Sequence, residues 1–347
     1  MIRALFLSLI VLITGSTLRA QDEDPLQSAY EKANGKLEAK DYRGASLDYS
    51  QLINSKFKND EVLVKRGIAY FHLKEYEKAS EDFDNAVKAR VNTAELFGYR
   101  GLAKYELKDY QSAAGDLEKG ISMGFASPEA AYNLGNAKFR MDSYQDAVKY
   151  YDMAISKGLS DATIYNNRGK AKYNLKNYQE ALKDFEKSLS LEPGYQKALE
   201  NKAETNFELK NWKAAAEDYD QLIQQGSVTD ENFARKGIAL YQSAQYNEAE
   251  KALESAVQRG NKSPELKAYL GNIYFDQKEY KKAALYLEQA AEQDPSKETY
   301  SKLGEAYYYS KNYSAADNAL SQAINKGGND TSLYLYRGLS RYELKKG

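Results

Sequence analysis

Nucleophilic and metal chemistry need particular side chains, and this chain carries few of them. It has no cysteine and a single histidine, His72. A hydroxyl or thiol nucleophile needs a positioned base, and His72 stands alone, without the neighbours that a triad or a metal site requires. No catalytic residue, metal site or cofactor is therefore expected. Carboxylates are abundant, and two of them facing each other across a closed cavity would suit glycoside hydrolysis. A different pairing is the regular one. A cation recurs at Lys32, Arg66, Arg100, Arg168, Lys202 and Lys236, and the first five have an aspartate sixteen residues later: Asp48, Asp82, Asp116, Asp184 and Asp218. Where leucine replaces the cation, at Leu134, Leu270 and Leu303, the later position holds Tyr150, Tyr286 or Ala319. Coupling of this kind within one chain predicts an ion pair joining two elements, in which arginine can give a carboxylate two hydrogen bonds. Arg66–Asp82, Arg100–Asp116 and Arg168–Asp184 are expected within bonding distance, as architecture and not as catalytic dyads.

The elements that must position these pairs follow from a longer period. A small residue returns at Ala33, Gly67, Gly101, Gly135, Gly169, Ala203, Gly237, Gly271, Gly304 and Gly338, at 34-residue intervals with one step of 33. Such a period marks a solenoid, in which each unit buries its apolar face only by stacking on its neighbours. With the small residue as position 8, the units are 26–59, 60–93, 94–127, 128–161, 162–195, 196–229, 230–263, 264–296 and 297–330, followed by a partial 331–347. The cations above occupy position 7 and the aspartates position 23. Position 17 is tyrosine, or Trp212; position 20 is always alanine; position 24 is large and apolar. Each unit should thus be two helices of about 14 residues. Glycine inside a helix costs about 1 kcal/mol relative to alanine. Its return at position 8 predicts a close crossing against position 20, with the rings at 17 and 24 beside it. Gly124, Gly158, Gly226, Gly260 and Gly327 at position 31 suit left-handed C-caps. Ser127-Pro128 and Ser263-Pro264 read as an N-cap followed by proline in the first helical position.

Bulk properties narrow the partners. The formal net charge is −1, which gives no reason to expect a nucleic-acid backbone or an anionic bilayer as ligand. Residues 1–20 have a positive start, an apolar run from Ala4 to Ile13 and a small-residue exit at Ala20, the anatomy of a cleaved secretory signal peptide. A short polar leader, 21–25, would then precede the array at 26–347. The mature chain is expected to have no integral membrane segment.

The small residue at 8, the aromatic at 17, Ala at 20, the aromatic or leucine at 24 and the prolines Pro193 and Pro295 at position 32 together resemble the tetratricopeptide repeat family over residues 26–347. The resemblance implies an all-α fold, an α-solenoid wound as a right-handed superhelix of about nine and a half helix-turn-helix repeats. First helices would line a groove that takes peptide or protein segments. The chain departs from the family pattern at position 15, mostly lysine here, at position 11, often Lys or Asn, and at position 7, already described. First-helix positions 2, 5, 6, 9, 12 and 13 tend to face the groove in this family. Position 12 carries Phe71, Tyr105, Phe139, Tyr173, Phe207 and Tyr241, with further rings at Phe275, Tyr308 and Tyr342. Either these rings contact an extended chain or they pack on the next repeat. Units four to six gather amides and cations: Asn136, Arg140, Asn166, Asn167, Lys170, Asn174, Lys197 and Asn201. Some relatives clamp a peptide's C-terminal carboxylate. Asn136, Asn167 and Lys197 match positions of that clamp, whereas Tyr132 and Asn201 stand where it uses cations. The expected function is a non-enzymatic interaction scaffold of the cell envelope, periplasmic or secreted. The alternatives are an assembly factor or chaperone that binds secreted or outer-membrane proteins transiently and, more remotely, a carbohydrate-active helical enzyme.

Overall fold

The computed structural model describes residues 25–346. The signal-peptide reading of residues 1–20 and most of the polar leader lie outside them. Among the described residues there are nineteen helices and no strand. The chain divides into two compact units, Met1–Leu159 and Ser160–Gly347. The first contains α1 (Pro25–Glu38), α2 (Tyr42–Asn54), α3 (Glu61–His72), α4 (Tyr76–Lys88), α5 (Ala94–Glu106), α6 (Tyr110–Ser122), α7 (Pro128–Arg140) and α8 (Tyr144–Ser156). The second contains α9 (Ala162–Asn174), α10 (Tyr178–Leu191), α11 (Gln196–Glu208), α12 (Trp212–Gln224), α13 (Asp230–Gln242), α14 (Tyr246–Gln258), α15 (Pro264–Asp276), α16 (Tyr280–Gln293), α17 (Lys297–Tyr309), α18 (Tyr313–Asn325) and α19 (Thr331–Lys346). Odd-numbered helices are the first helices of the repeats and even-numbered ones the second. The border between the two units falls where repeat four meets repeat five.

Two chain reversals explain the regularity. Between the helices of one repeat, position 15 takes a left-handed backbone in all nine complete repeats, for example Lys74 at φ 61° and Lys176 at φ 61°. That conformation costs a residue with a Cβ about 1–2 kcal/mol, which is why the family pattern prefers glycine there. Between repeats, position 31 does the same in seven of the nine complete repeats, the exceptions being Glu192 at φ −140° and Asp294 at φ −126°, each followed by proline; the five glycines predicted as C-caps are all left-handed, at φ 89° to 104°. N-caps follow the sequence with one correction. Ser127 accepts a hydrogen bond from the Ala130 amide at 3.1 Å. Ser263, expected to do the same, makes no side-chain cap bond; its own amide donates to Asn261 Oδ1 at 3.0 Å, so an asparagine turn replaces the serine cap.

The close crossing also needs a refinement. The position-20 alanines are fully buried in all nine complete repeats. What leaves no room at position 8, however, is first the side chain at position 24. A Cβ on Gly67 would lie 2.7 Å from Phe83, one on Gly169 2.6 Å from Phe185, and one on Gly271 2.5 Å from Leu287. The position-20 backbone comes next, with the Ala147 and Ala283 carbonyls 3.3 Å from a Cβ on Gly135 and Gly271. Gly338, on α19, has nothing within 4 Å, because no second helix covers it among the described residues. Tyr334, Leu335 and Tyr342 of α19 are exposed.

Candidate functional site

The paired charges form a seam between the first and second helix of each of four repeats. Arg66 donates to Asp82 through Nε at 2.8 Å and Nη2 at 2.6 Å. Arg100 donates to Asp116 at 2.7 and 2.5 Å, Arg168 to Asp184 at 2.9 and 2.5 Å, and Lys202 to Asp218 at 2.5 Å. All four aspartates are buried. The Arg66 guanidinium is held protonated chiefly by its hydrogen bond to Asp82. Burial raises the Asp82 carboxyl above its usual range, although Arg66 opposes the rise. The predicted seam is therefore present in its three arginine members.

Position 11 adds a part that sequence reasoning missed. Lys104 gives Asp116 a second cation at 2.9 Å, and Lys172 does so for Asp184 at 2.8 Å. Asn206 donates to Asp218 at 2.7 Å. In the first repeat, Asp48 is reached by Lys36 at 2.6 Å, while Lys32, grouped with it by the spacing, is exposed. Lys236, whose own repeat has Ala252 at position 23, turns to Asp220 of the preceding repeat at 2.5 Å. The departure of position 11 from the family pattern was the available signal. It is one helical turn beyond position 7, and so on the same face.

The aromatic ladder is built into the wall. Each position-12 ring of the complete repeats meets the position-17 ring of its own repeat: Phe71–Tyr76 at 5.6 Å, Tyr105–Tyr110 at 5.4 Å and Phe139–Tyr144 at 5.3 Å in the first unit. In the second unit, Tyr173–Tyr178 stand at 5.1 Å, Phe207–Trp212 at 5.2 Å and Tyr241–Tyr246 at 5.4 Å. Several also touch position 6 of the next repeat: Phe71 meets Tyr99 at 5.4 Å, Tyr241 meets Tyr269 at 4.5 Å, and Arg235 lies 4.7 Å over Phe207. The rings are half-buried, so one edge serves the packing and the other stays accessible, fixed in place beforehand.

The amide and cation set divides between the two units. In the first, Asn136 Oδ1 accepts from the Tyr151 hydroxyl at 2.8 Å, Tyr132 lies 6.0 Å from the Tyr151 ring, and Arg140 sits 4.7 Å over Tyr110. Asn136 belongs to a pattern that sequence reasoning did not use. Where position 24 is tyrosine, position 9 supplies its acceptor: Asn34 for Tyr49 at 2.7 Å, Asn136 for Tyr151, and Glu204 for Tyr219 at 2.9 Å. In the second unit, Asn166 is buried and accepts from Asn201 Nδ2 at 2.7 Å, tying α9 to α11. Asn166 also donates to Asn167 Oδ1 at 3.4 Å. Lys170 and Lys197 are exposed and Asn167 half-buried. His72 stacks on Tyr42 at 4.4 Å; burial, and then the charge of Lys40, lower its pKa. Among the described residues no cluster of histidine and carboxylate could hold a metal ion, and no helix is long and apolar enough to cross a membrane.

Stacked antiparallel helix pairs with a glycine–alanine crossing and polar first-helix faces define an α-solenoid repeat protein. Two tetratricopeptide repeat profiles match the sequence, one over residues 162–195 and the other over 64–131, 100–163 and 235–298, together more than half of the chain. The chain belongs to the tetratricopeptide repeat family. Among solved structures, MamA from Desulfovibrio magneticus is 21% identical, with 48% of this chain and 95% of that one covered at a TM-score of 0.44. A tetratricopeptide repeat protein from Parabacteroides merdae is 16% identical, with 72% and 98% covered at 0.42. YrrB, a protein of the same repeat class with an unusual peptide-binding site, is 20% identical, with 55% and 99% covered at 0.48. No curated protein matches the chain.

Proposed function

We propose that this chain is a non-enzymatic scaffold that holds a peptide or protein segment on the first-helix face of its second unit. The observation that carries this reading is the set Asn167, Lys170 and Lys197 on α9 and α11, in the same unit as the half-buried rings Tyr173, Phe207 and Tyr241. Stiff rings already seated by their neighbours bind with little loss of conformational freedom. The lysines add charge that orients an acidic or carboxylate end of the segment toward them. Family membership supports a binding role, and the leader pattern of residues 1–20 supports export to the envelope.

Cross-linking in intact cells followed by mass spectrometry would name the partner, and fractionation would locate the chain. Asn167→Ala combined with Lys197→Ala is expected to weaken binding of the cross-linked segment by about tenfold or more, since hydrogen bonds to charged groups contribute about 1.5–3 kcal/mol each. Unchanged affinity would remove this face from the account.

A further inference from the structure

Seven positions meet on the second-helix side at two of the repeat junctions: 25 of one repeat, 4, 7 and 11 of the next first helix, and 19, 22 and 23 of the helix after it. Position 23 is Asp or Tyr in seven of the complete repeats. In repeats seven and nine it is Ala252 and Ala319, and both junctions open into cavities. The first, of about 400 Å³, lies among α12, α13 and α14; the second, of about 260 Å³, lies among α16, α17 and α18.

The chain itself shows what the position-25 acid does elsewhere. Asp84 takes Arg100 at 3.0 Å, Glu118 takes Lys138 at 2.8 Å, and Asp220 takes Lys236 at 2.5 Å. In the cavity of repeat nine the equivalent acid is Glu288, and the facing positions 7 and 11 are Leu303 and Tyr307. Burial, and then the neighbouring Glu288 carboxylate, push the Tyr307 hydroxyl up to about 12. A carboxylate has acceptor sites for more than one donor. One repeat earlier, the matching Glu254 and Tyr274 bond at 2.5 Å, and there the Tyr286 ring stacks on Tyr274 at 5.6 Å, in the space that Ala319 leaves vacant.

The geometry points to a second interaction site on this side of the helices: the repeat-nine cavity is a socket for an arginine side chain of a partner protein. The guanidinium pairs with Glu288, its plane lies against the Tyr300 and Tyr307 rings, and its methylenes rest on Leu303 and Ala319. Arginine fits better than lysine because a planar fork can both stack on a ring and pair with a carboxylate. The socket repeats between chains the cation–acid pairing that other junctions make within one. It is independent of the first-helix face proposed above.

The test uses the full chain and N-acetyl-arginine amide as probe, with N-acetyl-citrulline amide as its uncharged isostere, followed by NMR of labelled tyrosines and alanines. Saturable shifts at Tyr300, Tyr307 and Ala319 with the arginine probe, absent with citrulline, are the expected result. Ala319→Tyr, which copies the ring of Tyr286, should abolish them, and Glu288→Gln, isosteric and exposed, should weaken binding by about tenfold. No shift with the arginine probe, equal shifts with citrulline, or affinity untouched by Glu288→Gln would each overturn the proposal. The glutamine variant keeps the test valid should the tyrosine variant fail to fold.

Discussion

Repeats two and eight solve one packing problem with opposite chemistry. In repeat two, Arg66 crosses to a buried Asp82; in repeat eight, Leu270 and Tyr286 occupy the same two positions. Both keep glycine at position 8 under a large side chain at 24, Phe83 in one and Leu287 in the other. The repeat is therefore specified by positions 8, 20 and 24, and positions 7 and 23 need only agree with each other. A buried ion pair often gains no net stability over apolar residues of similar size, because desolvation offsets the attraction, but removing one member strands the other. This explains why eight of the nine complete repeats change both members together; the exception, Lys236 with Ala252, takes its acid from Asp220 of the preceding repeat.

The comparison can be broken most forcefully at repeat two. Arg66→Leu alone leaves Asp82, 3% exposed, without its guanidinium and should cost about 3–5 kcal/mol. Adding Asp82→Tyr, as in repeat eight, should restore most of that loss. Hydrogen exchange of α3 and α4 reads the effect locally, which suits a repeat array whose parts open separately. Next in size is the crossing itself. Gly67→Ala forces a Cβ against Phe83 and should destabilise by about 1–3 kcal/mol, whereas Gly338→Ala, with open space around it, should stabilise α19 by a fraction of about 1 kcal/mol. Thermal unfolding of the two variants gives opposite signs if position 24 sets the constraint.

Smaller effects sharpen the picture. Lys74→Gly relieves a left-handed residue at φ 61° and should gain about 0.5 kcal/mol after glycine's entropy cost, seen as a higher urea midpoint. The pKa of His72 is lowered in the fold by burial and Lys40, so folding favours the neutral ring. Its contribution to stability is thus complete above the unfolded value of about 6.5 and is lost as pH falls from there through the lower folded value. An NMR titration of this one histidine should give a midpoint below that value, and a midpoint at that value would mean that the ring is more solvated than its stack on Tyr42 implies.

Period, helix pairing and the arginine seams were legible because each depends on residues repeated many times in one chain. The roles of particular polar residues were not. Lys36 displaces Lys32 as the partner of Asp48, because the choice between two lysines one turn apart depends on side-chain reach and not on spacing. Asn136, matched to a carboxylate clamp by position, is the acceptor for Tyr151, and this rule becomes visible only when Asn34 and Glu204 are seen doing the same. The position-12 rings were readable as a ladder, but their seats against position 17 required the turn between helices to be in place. The cavity beside Ala319 was hidden for a similar reason: an alanine at position 23 reads as a missing ion pair, and only the packing around it shows that nothing else moved in.

The central claim is that the seam is architecture and that recognition belongs to the first-helix set of Asn167, Lys170 and Lys197. Affinity for the cross-linked segment, measured on two double variants, tests it most directly. Lys202→Leu with Asp218→Tyr exchanges the seam of the repeat that carries Lys197, and it should leave the dissociation constant unchanged. Asn167→Ala with Lys197→Ala should raise it about tenfold. The reverse pattern, with the seam variant losing the segment and the surface variant keeping it, would contradict the account.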